Sequence, residues 1–382
     1  MKCLLISADF PPIIGGESVF YYNLFRLLPS KKVVILAPKV RGSSPFDKRQ
    51  NFQIYRLKGL LFPSLIGKLI KVLLFWYHTA KLIKAEKIEL IHCGQLFTTG
   101  LIGFLVKKCF NIPYFLYVYG TEFQVHKKIG LLKSFWIKVL KEAAYVITVS
   151  DFAKKEYLGM GVDAKRLITV YPGVDVKLFR PNLDCSKIVE RYKLRDKKVI
   201  LSVSRLEKDK GEDMVIRALP EVIKKTDNLV YLVVGAGSQK VVLKKLVDKF
   251  HLKDRVVFTG AMPNGILPQI FNACDVFIRA TREEKGHMEG FGIVYLEANA
   301  CGKTVIGGRT GGAVEAIIHN QTGLLINPKS QQEIARSLIK LLSDRALREK
   351  LGGNGRKRVI EKFNWENSAQ SLLKLIERTV IK

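Results

Sequence analysis

The sequence is short of acid, and that shortage sets its character. Against 34 Asp and Glu stand 64 Lys and Arg in 382 residues, a formal net charge of +30. Such a balance points to nucleic acid, an anionic membrane surface or anionic substrates, or else to a lysine-rich solvated surface. Zinc-finger spacing, an RNP-type aromatic motif and a recognisable helix-turn-helix are all missing, which argues against nucleic acid. Cysteine is scattered: Cys3, Cys93, Cys109, Cys185, Cys274 and Cys301 form no CxxC pair. Reduced structural thiols are therefore expected rather than a disulfide frame or a zinc site. No DxD stretch is present to hold a divalent cation, and the six histidines lack metal-ligand spacing. His126 and His287 lie beside charges, as surface residues do. The longest apolar stretch, Leu60 to Tyr77, is broken by Pro63, Lys68 and Lys71. It falls short of the ~20 nearly uncharged residues of a spanning helix. MKCLLISADF lacks the charged, apolar and small-residue pattern of a secretory signal, so a cytoplasmic protein is expected.

What is present is apolar residues, 48% of the chain, enough for two cores at this length. Residues 3–8, 33–37, 88–92, 114–118 and 145–149 are short apolar runs separated by helix-length segments, the pattern of buried parallel strands. After a polar stretch at 181–198 the pattern restarts at 199–203, 229–235, 255–260, 275–280, 304–308 and 323–326. Two such successions predict two doubly wound α/β domains. Pro, Gly and Asp cluster between Pro172 and Pro181 and mark the boundary, giving an N-terminal domain over 1–176 and a C-terminal domain over 177–364. Residues 365–379 read as a final amphipathic helix.

Three motifs fall where such strands should end. Asp9-Phe-Pro-Pro-Ile-Ile-Gly15-Gly16 closes the first strand ahead of a helix; paired glycines let backbone approach a ligand, and the helix start offers free N–H groups to an anion. Arg205-Leu-Glu-Lys-Asp-Lys210-Gly211 follows the strand that opens the second domain. Arg offers phosphate a fork and Lys a mobile charge, although a solvated charged loop would have similar composition. Glu289-Gly-Phe-Gly-Ile-Val-Tyr-Leu-Glu297 is the most specific. Its eight-residue step spans at most ~12 Å in helix, near the reach from a nucleotide's ribose to a sugar on its second phosphate. The apolar Val294, Tyr295, Leu296 and Ala298 argue against Glu297 being merely an exposed helix residue. Gly235-Ala-Gly237-Ser238 reads as a ligand-side turn. Gly307-Gly308 and Gly311-Gly312 read as backbone carried close to a ligand or to the other domain; Arg309 and Glu315 are as well explained structurally.

ADFPPIIGG, VSDFAKKEY, YPGVD, SRLEKDKG, VGAGS, FTGAMP, EGFGIVYLEANACG and TGGAVEAI occur in the order seen in retaining GT-B glycosyltransferases of family 4, which the chain resembles over nearly its whole length. DFPPxxGG and TREEKGHMEGFGIVYLEA are most similar to the mannosyltransferases that act on phosphatidylinositol mannosides. The resemblance implies two Rossmann-like domains facing each other across a cleft, with the last helix, 365–382, packing back on the first domain. It implies a nucleotide-sugar donor, GDP-mannose first and a UDP-sugar second, with Gly15 and Gly16 at the donor phosphates and Arg205 and Lys210 on the diphosphate. Glu289 would bind the transferred sugar, Phe291, Gly292 and Ile293 would offer backbone at the helix start, and Glu297 would take the ribose. Gly235 and Met262 would complete the donor side. Asp9, Tyr119 and Gly120 would lie on the acceptor side, Asp9 meeting the acceptor hydroxyl. Where family members often carry His-Gly this chain has Tyr119-Gly120-Thr121-Glu122, and tyrosine does not titrate near neutral pH as histidine does.

The mechanism so implied is retention without a protein nucleophile, the leaving phosphate taking the acceptor proton, with no metal and no cofactor. Residues 64–77 and 127–141 mix Lys with Leu, Ile, Phe and Trp at helical spacing. They are expected to lie on an anionic membrane, on its cytoplasmic face, near a lipid-linked or glycan acceptor, with Lys68, Lys71, Lys127, Lys128, Lys133 and Lys138 drawn to the surface and Trp76 and Trp136 as apolar anchors. The same architecture leaves open a sugar-nucleotide epimerase, a glycogen-type synthase, or a UDP-sugar-dependent transferase of lipopolysaccharide or polysaccharide synthesis.

Overall fold

Short, wholly apolar strands satisfy both their faces only inside a sheet covered by helices on each side. In the computed structural model, which describes residues 1–13, 15–58, 65–120, 122 and 132–380, they lie in two such sheets. The first contains β1 (Cys3–Ile6), β2 (Val33–Pro38), β3 (Gln53–Leu57), β4 (Leu90–Cys93), β5 (Tyr114–Val118), β6 (Tyr145–Thr148) and β7 (Leu167–Thr169). Its order is β3-β2-β1-β4-β5-β6-β7, every neighbouring pair parallel. All residues of β1, β2, β4 and β5 are buried. The chain reverses its direction of winding between β1 and β4, and the carboxyl ends of those strands are where a ligand of this fold gathers.

The second sheet contains β8 (Lys198–Val203), β9 (Leu229–Val234), β10 (Val256–Gly260), β11 (Val276–Arg279), β12 (Thr304–Gly308) and β13 (Gly323–Ile326), in the order β10-β9-β8-β11-β12-β13. It too is parallel, with its switch point between β8 and β11. Leu219, Tyr231, Val233, Ile278 and Leu338 belong to its core. At roughly 1.5–3 kcal/mol for each large side chain removed from water, such burial is the main force holding each sheet to its helices.

The strands β3 and β7 were not anticipated. Both are edge strands; β3 alternates exposed and half-buried positions over Gln53–Leu57 before ending on buried Leu57 and offers no continuous apolar run, while β7 is only three residues long.

The chain divides into Met1–Pro172 with Trp365–Lys382, and Gly173–Asn364. The division falls before Gly173 rather than after residue 176 because Val174 already belongs to the second unit: its N–H donates to Phe363 O at 2.8 Å. The terminal helix Trp365–Val380 belongs to the first unit, where Trp365 stacks on Phe20 with centroids 6.0 Å apart. Ser368 Oγ donates to Tyr171 O at 2.7 Å.

The helices of the first unit include α1 (Gly16–Phe25), α2 (Leu65–Glu86) and α3 (Lys133–Glu142). The basic segment expected over 127–141 lies outside the described residues as far as 131, which includes Lys127 and Lys128, and of Lys68 the backbone alone is described. Trp136, expected as a membrane anchor, is instead 9% exposed and sits edge-on against Phe97 at 5.1 Å and Phe135 at 5.3 Å. Helical spacing reveals an apolar stripe but not what covers it. Trp76 is half-buried against Phe110, whereas Lys133 and Lys138 are exposed. No helix among the described residues is long and apolar enough to cross a membrane.

Candidate active site

In the second unit, the loops beyond β8, β9, β11 and β12 pack on one another through backbone. A β-carbon at Gly312 would sit 2.1 Å from Gly290 O, and one at Gly235 1.8 Å from Ser204 O. Gly312 N–H donates to Glu289 O at 2.8 Å. These glycines, read from the sequence as ligand-facing backbone, are used to seat one loop against the next. Side chains complete the fastening: Ser238 Oγ donates to Glu207 Oε2 at 2.6 Å, and Lys208 pairs with Glu284 at 2.9 Å. The mixed-sign loop after β8 is therefore tied down rather than solvated throughout.

Two helices begin in this layer, α4 (Glu212–Ile223) and α5 (Ile293–Ala300). Gly292 caps α5 with φ +89°, in the left-handed region, and a β-carbon there would meet the Tyr295 ring at 2.6 Å. Only glycine allows that cap; Tyr295 N donates back to Gly292 O at 3.0 Å, while the amides of Ile293 and Val294, at the helix's positive end, have no acceptor among the described residues. Ile293 is half-buried, while Phe291 is buried and stacks on Phe363.

Glu289 stands beside this cap. Its Oε2 receives Lys210 Nζ at 3.4 Å and a hydrogen bond from Arg279 Nη2. Burial would raise its carboxyl, but Arg279 and then Lys210 outweigh that and hold it at about 2. Lys210 is itself 9% exposed and also pairs with Asp209 at 2.7 Å. Among the described residues these two carboxylates take two of its three donor directions, and one remains for a further acceptor. Arg205 is exposed, and its guanidinium has no hydrogen bond or ion pair among the described residues. Glu297 lies one face along α5; burial pushes its carboxyl up to about 7, with Arg279 opposing, and its Oε2 has no hydrogen-bond partner among the described residues. Met262 is half-buried after β10, Arg309 bonds Leu325 O from Nη2, and His287 is exposed.

Arg279 was not anticipated from sequence. It ends the apolar run VFIR, and nothing in its local spacing signals that it meets Glu289 ten residues later.

In the first unit, the carboxyl ends of β1, β4 and β5 gather a second group. A β-carbon added to Gly15 or Gly16 would meet none of the described residues within 4 Å where α1 begins. Gln95, another residue the sequence did not single out, accepts from Ala8 N at 3.0 Å and donates to Glu17 Oε2 at 3.0 Å, fixing the loop that bears Asp9. Lys71 of α2 is half-buried, and burial lowers its pKa while the charge of Asp9 opposes that shift. An expected membrane-facing lysine thus lies within electrostatic reach of the acceptor-side acid. Tyr119 shares a 2.5 Å hydroxyl contact with Tyr21, and burial raises its pKa well above 10. It is a neutral hydrogen-bonding group and not a base. Glu122 accepts from Tyr119 N at 2.6 Å and Gly120 N at 2.9 Å, which sets the turn after β5. Among the described residues no cluster of His, Cys, Asp and Glu could hold a metal ion.

Comparison with known proteins supplies the context of these two sites. Residues 14–178 match the model of Glycosyltransferase Family 4, and residues 186–358 match that of Glycosyl transferases group 1. The chain is 28% identical to a GDP-mannose-dependent alpha-(1-6)-phosphatidylinositol monomannoside mannosyltransferase of Mycolicibacterium smegmatis, over 98% of this chain and 97% of that one. It is 26% identical to a GDP-mannose-dependent monoacylated alpha-(1-6)-phosphatidylinositol monomannoside mannosyltransferase of Corynebacterium glutamicum, over 98% of each. Among solved structures, Anabaena HepE in complex with UDP and glucose superposes with a TM-score of 0.84 at 19% identity, over 99% of each chain, a likeness of fold. Carrying one family model on each of its two parallel-sheet units, the chain belongs to the GT-B glycosyltransferases of family 4, group 1.

Proposed function

We propose that the protein transfers a hexose, mannose in the first instance, from a nucleoside-diphosphate sugar to a lipid-linked acceptor with retention of configuration. The observation that carries this reading is the grouping of Lys210, Glu289 and the Gly292-capped start of α5, with Glu297 further along the same helix. It supplies a cation and free amides for a diphosphate, an ionised acceptor for sugar hydroxyls and a second carboxyl for ribose. Arg205 and the remaining donor of Lys210 neutralise charge that grows on the departing diphosphate, a preorganised stabilisation typically worth ~10²–10³ in rate per donor. The diphosphate oxygen takes the acceptor proton, so neither Asp9 nor Tyr119 has to act as base; Asp9 orients the acceptor hydroxyl. No metal is required.

Mannose and a phosphoinositide-type acceptor are supported by full-length similarity to GDP-mannose-dependent enzymes acting on phosphatidylinositol monomannoside. Peripheral docking on the cytoplasmic face of an anionic membrane is supported by α2, whose Ile70, Leu73 and Tyr77 are exposed at i, i+3 and i+7, followed on the same helix by exposed Lys81 and Lys84. The test is transfer from GDP-mannose, UDP-glucose and UDP-N-acetylglucosamine to phosphatidylinositol mannoside, with the product anomer read by NMR. A β-linked product would refute retention, and epimerised donor without transfer would refute the reaction class.

A further inference from the structure

Arg279 is out of place by composition. It closes a strand whose other members, Val276, Phe277 and Ile278, are fully buried, and it is itself 6% exposed. An arginine so placed is unfavourable unless its charge is met. It is met by Glu289 Oε2, the same oxygen that Lys210 approaches. Two cations thus converge on one oxygen of the carboxylate, while Oε1 takes no hydrogen bond from any described residue. The arginine is held at its other end as well: Tyr295 of α5 donates its hydroxyl to Arg279 O at 2.7 Å, and its ring lies 6.0 Å from the guanidinium carbon. The strand, the helix that starts at Gly292 and Glu289 are thereby joined through one side chain.

We infer that Arg279 is a positioning residue that sets donor-sugar specificity: by occupying Oε2 it fixes Glu289 as an ionised acceptor offering Oε1 alone to a hydroxyl of the transferred sugar. This deepens the donor assignment above and rests on it. A sugar that lacks a hydroxyl at that point leaves a charged oxygen unpaired in a buried site, the kind of mismatch that discriminates strongly between substrates. On this reading the nucleoside diphosphate is held by Arg205, Lys210 and the start of α5 and not by Arg279, whose Nε has no hydrogen-bond partner among the described residues.

The experiment compares wild type with Arg279→Met and Arg279→Lys as full-length chains. Calorimetry measures affinity for GDP and for GDP-mannose, and kcat/KM is followed from pH 4 to 8. Wild type is expected to bind the nucleotide sugar more tightly than the diphosphate. Arg279→Met should hold GDP within about twofold of wild type yet lose about tenfold or more for GDP-mannose, the scale of one charged hydrogen bond. Its acid limb should move upward, since Glu289 then loses the largest charge opposing its burial and keeps Lys210 and the weaker influence of Arg205. Arg279→Lys should recover part of both effects. The inference is overturned if Arg279→Met keeps the wild-type preference and acid limb. It is equally overturned if both variants lose GDP and GDP-mannose in parallel, the mark of a merely structural residue. If wild type itself shows no preference for any nucleotide sugar over its diphosphate, the donor assignment falls first and this one with it.

Discussion

Lys210 and Glu289 lie 79 positions apart in sequence and 3.4 Å apart in space. The lysine ends the loop after β8 and the glutamate precedes α5, so the contact ties together the two motifs assigned to diphosphate and to sugar. Arg205, the other expected diphosphate ligand, is exposed and unpaired among the described residues. The two cations therefore predict different phenotypes. Arg205→Ala should lower kcat by ~10²-fold with an unchanged melting temperature. Lys210→Ala should lower kcat at least as much and also cost about 1–3 kcal/mol of stability, because it removes a buried partner of Asp209 and Glu289. Full activity in the double variant would end the assignment of both.

Neutralisation of the leaving group by Arg205, Lys210 and the start of α5 predicts activity that survives excess chelator. The check is turnover after extended treatment with EDTA, with and without added magnesium or manganese. Strict dependence on either ion would mean that the diphosphate is neutralised by other means.

The sheets were legible because their central strands are continuous apolar runs, and the loops because they follow those runs with glycine, charge or both. Arg279 and Gln95 were illegible for a common reason: each acts on a partner brought close only by the sheet. Gln95 follows β4 in an ordinary stretch, HCGQLF, yet fixes the loop after β1 from 87 residues away. The misreading of Trp136 is of another kind. Its position on an amphipathic helix is correct, but amphipathicity does not say whether protein or lipid covers the apolar side. Here Phe97 and Phe135 do.

The proposed membrane docking is consequently assigned to the exposed face of α2 rather than to Trp136. Ile70, Leu73 and Tyr77 are 42%, 56% and 63% exposed, so changing all three to Ser should leave the fold intact. Anionic vesicles should bind wild type in two parts. Lys81, Lys84, Lys133 and Lys138 supply a salt-sensitive part of about 1 kcal/mol each, acting over a Debye length of ~8 Å at physiological salt. The three apolar residues supply a part that high salt does not remove. The triple Ser variant should lose the second and keep the first. Equal binding by wild type and triple variant in high salt would take α2 out of the interface.

Glu297 gives the sharpest dependence on pH. Its carboxyl is pushed up to about 7 by burial, so near neutrality it is partly protonated. On the proposed assignment two ribose hydroxyls donate to it and favour the ionised form, so that binding of donor releases a proton below pH 7. Affinity for GDP should rise as pH increases from about 6 to 8, by up to about tenfold per unit on the acid side. Glu297→Gln should flatten that slope. Glu212 is the needed control, since burial pushes its carboxyl up to about 7 as well, with Ser204 opposing. Glu212→Gln should leave the binding slope in place. Stability runs the other way. Both groups hold protons in the folded protein at pH values where an unfolded carboxyl, near 4.5, has lost them. Between about pH 4.5 and 7 the folded state binds more protons, so its stability falls as pH rises. The melting temperature should decline from pH 5 to 8 in wild type and less so in the Glu212→Gln, Glu297→Gln double variant. Donor affinity that weakened with rising pH in wild type would show that Glu297 does not receive the ribose as a carboxylate.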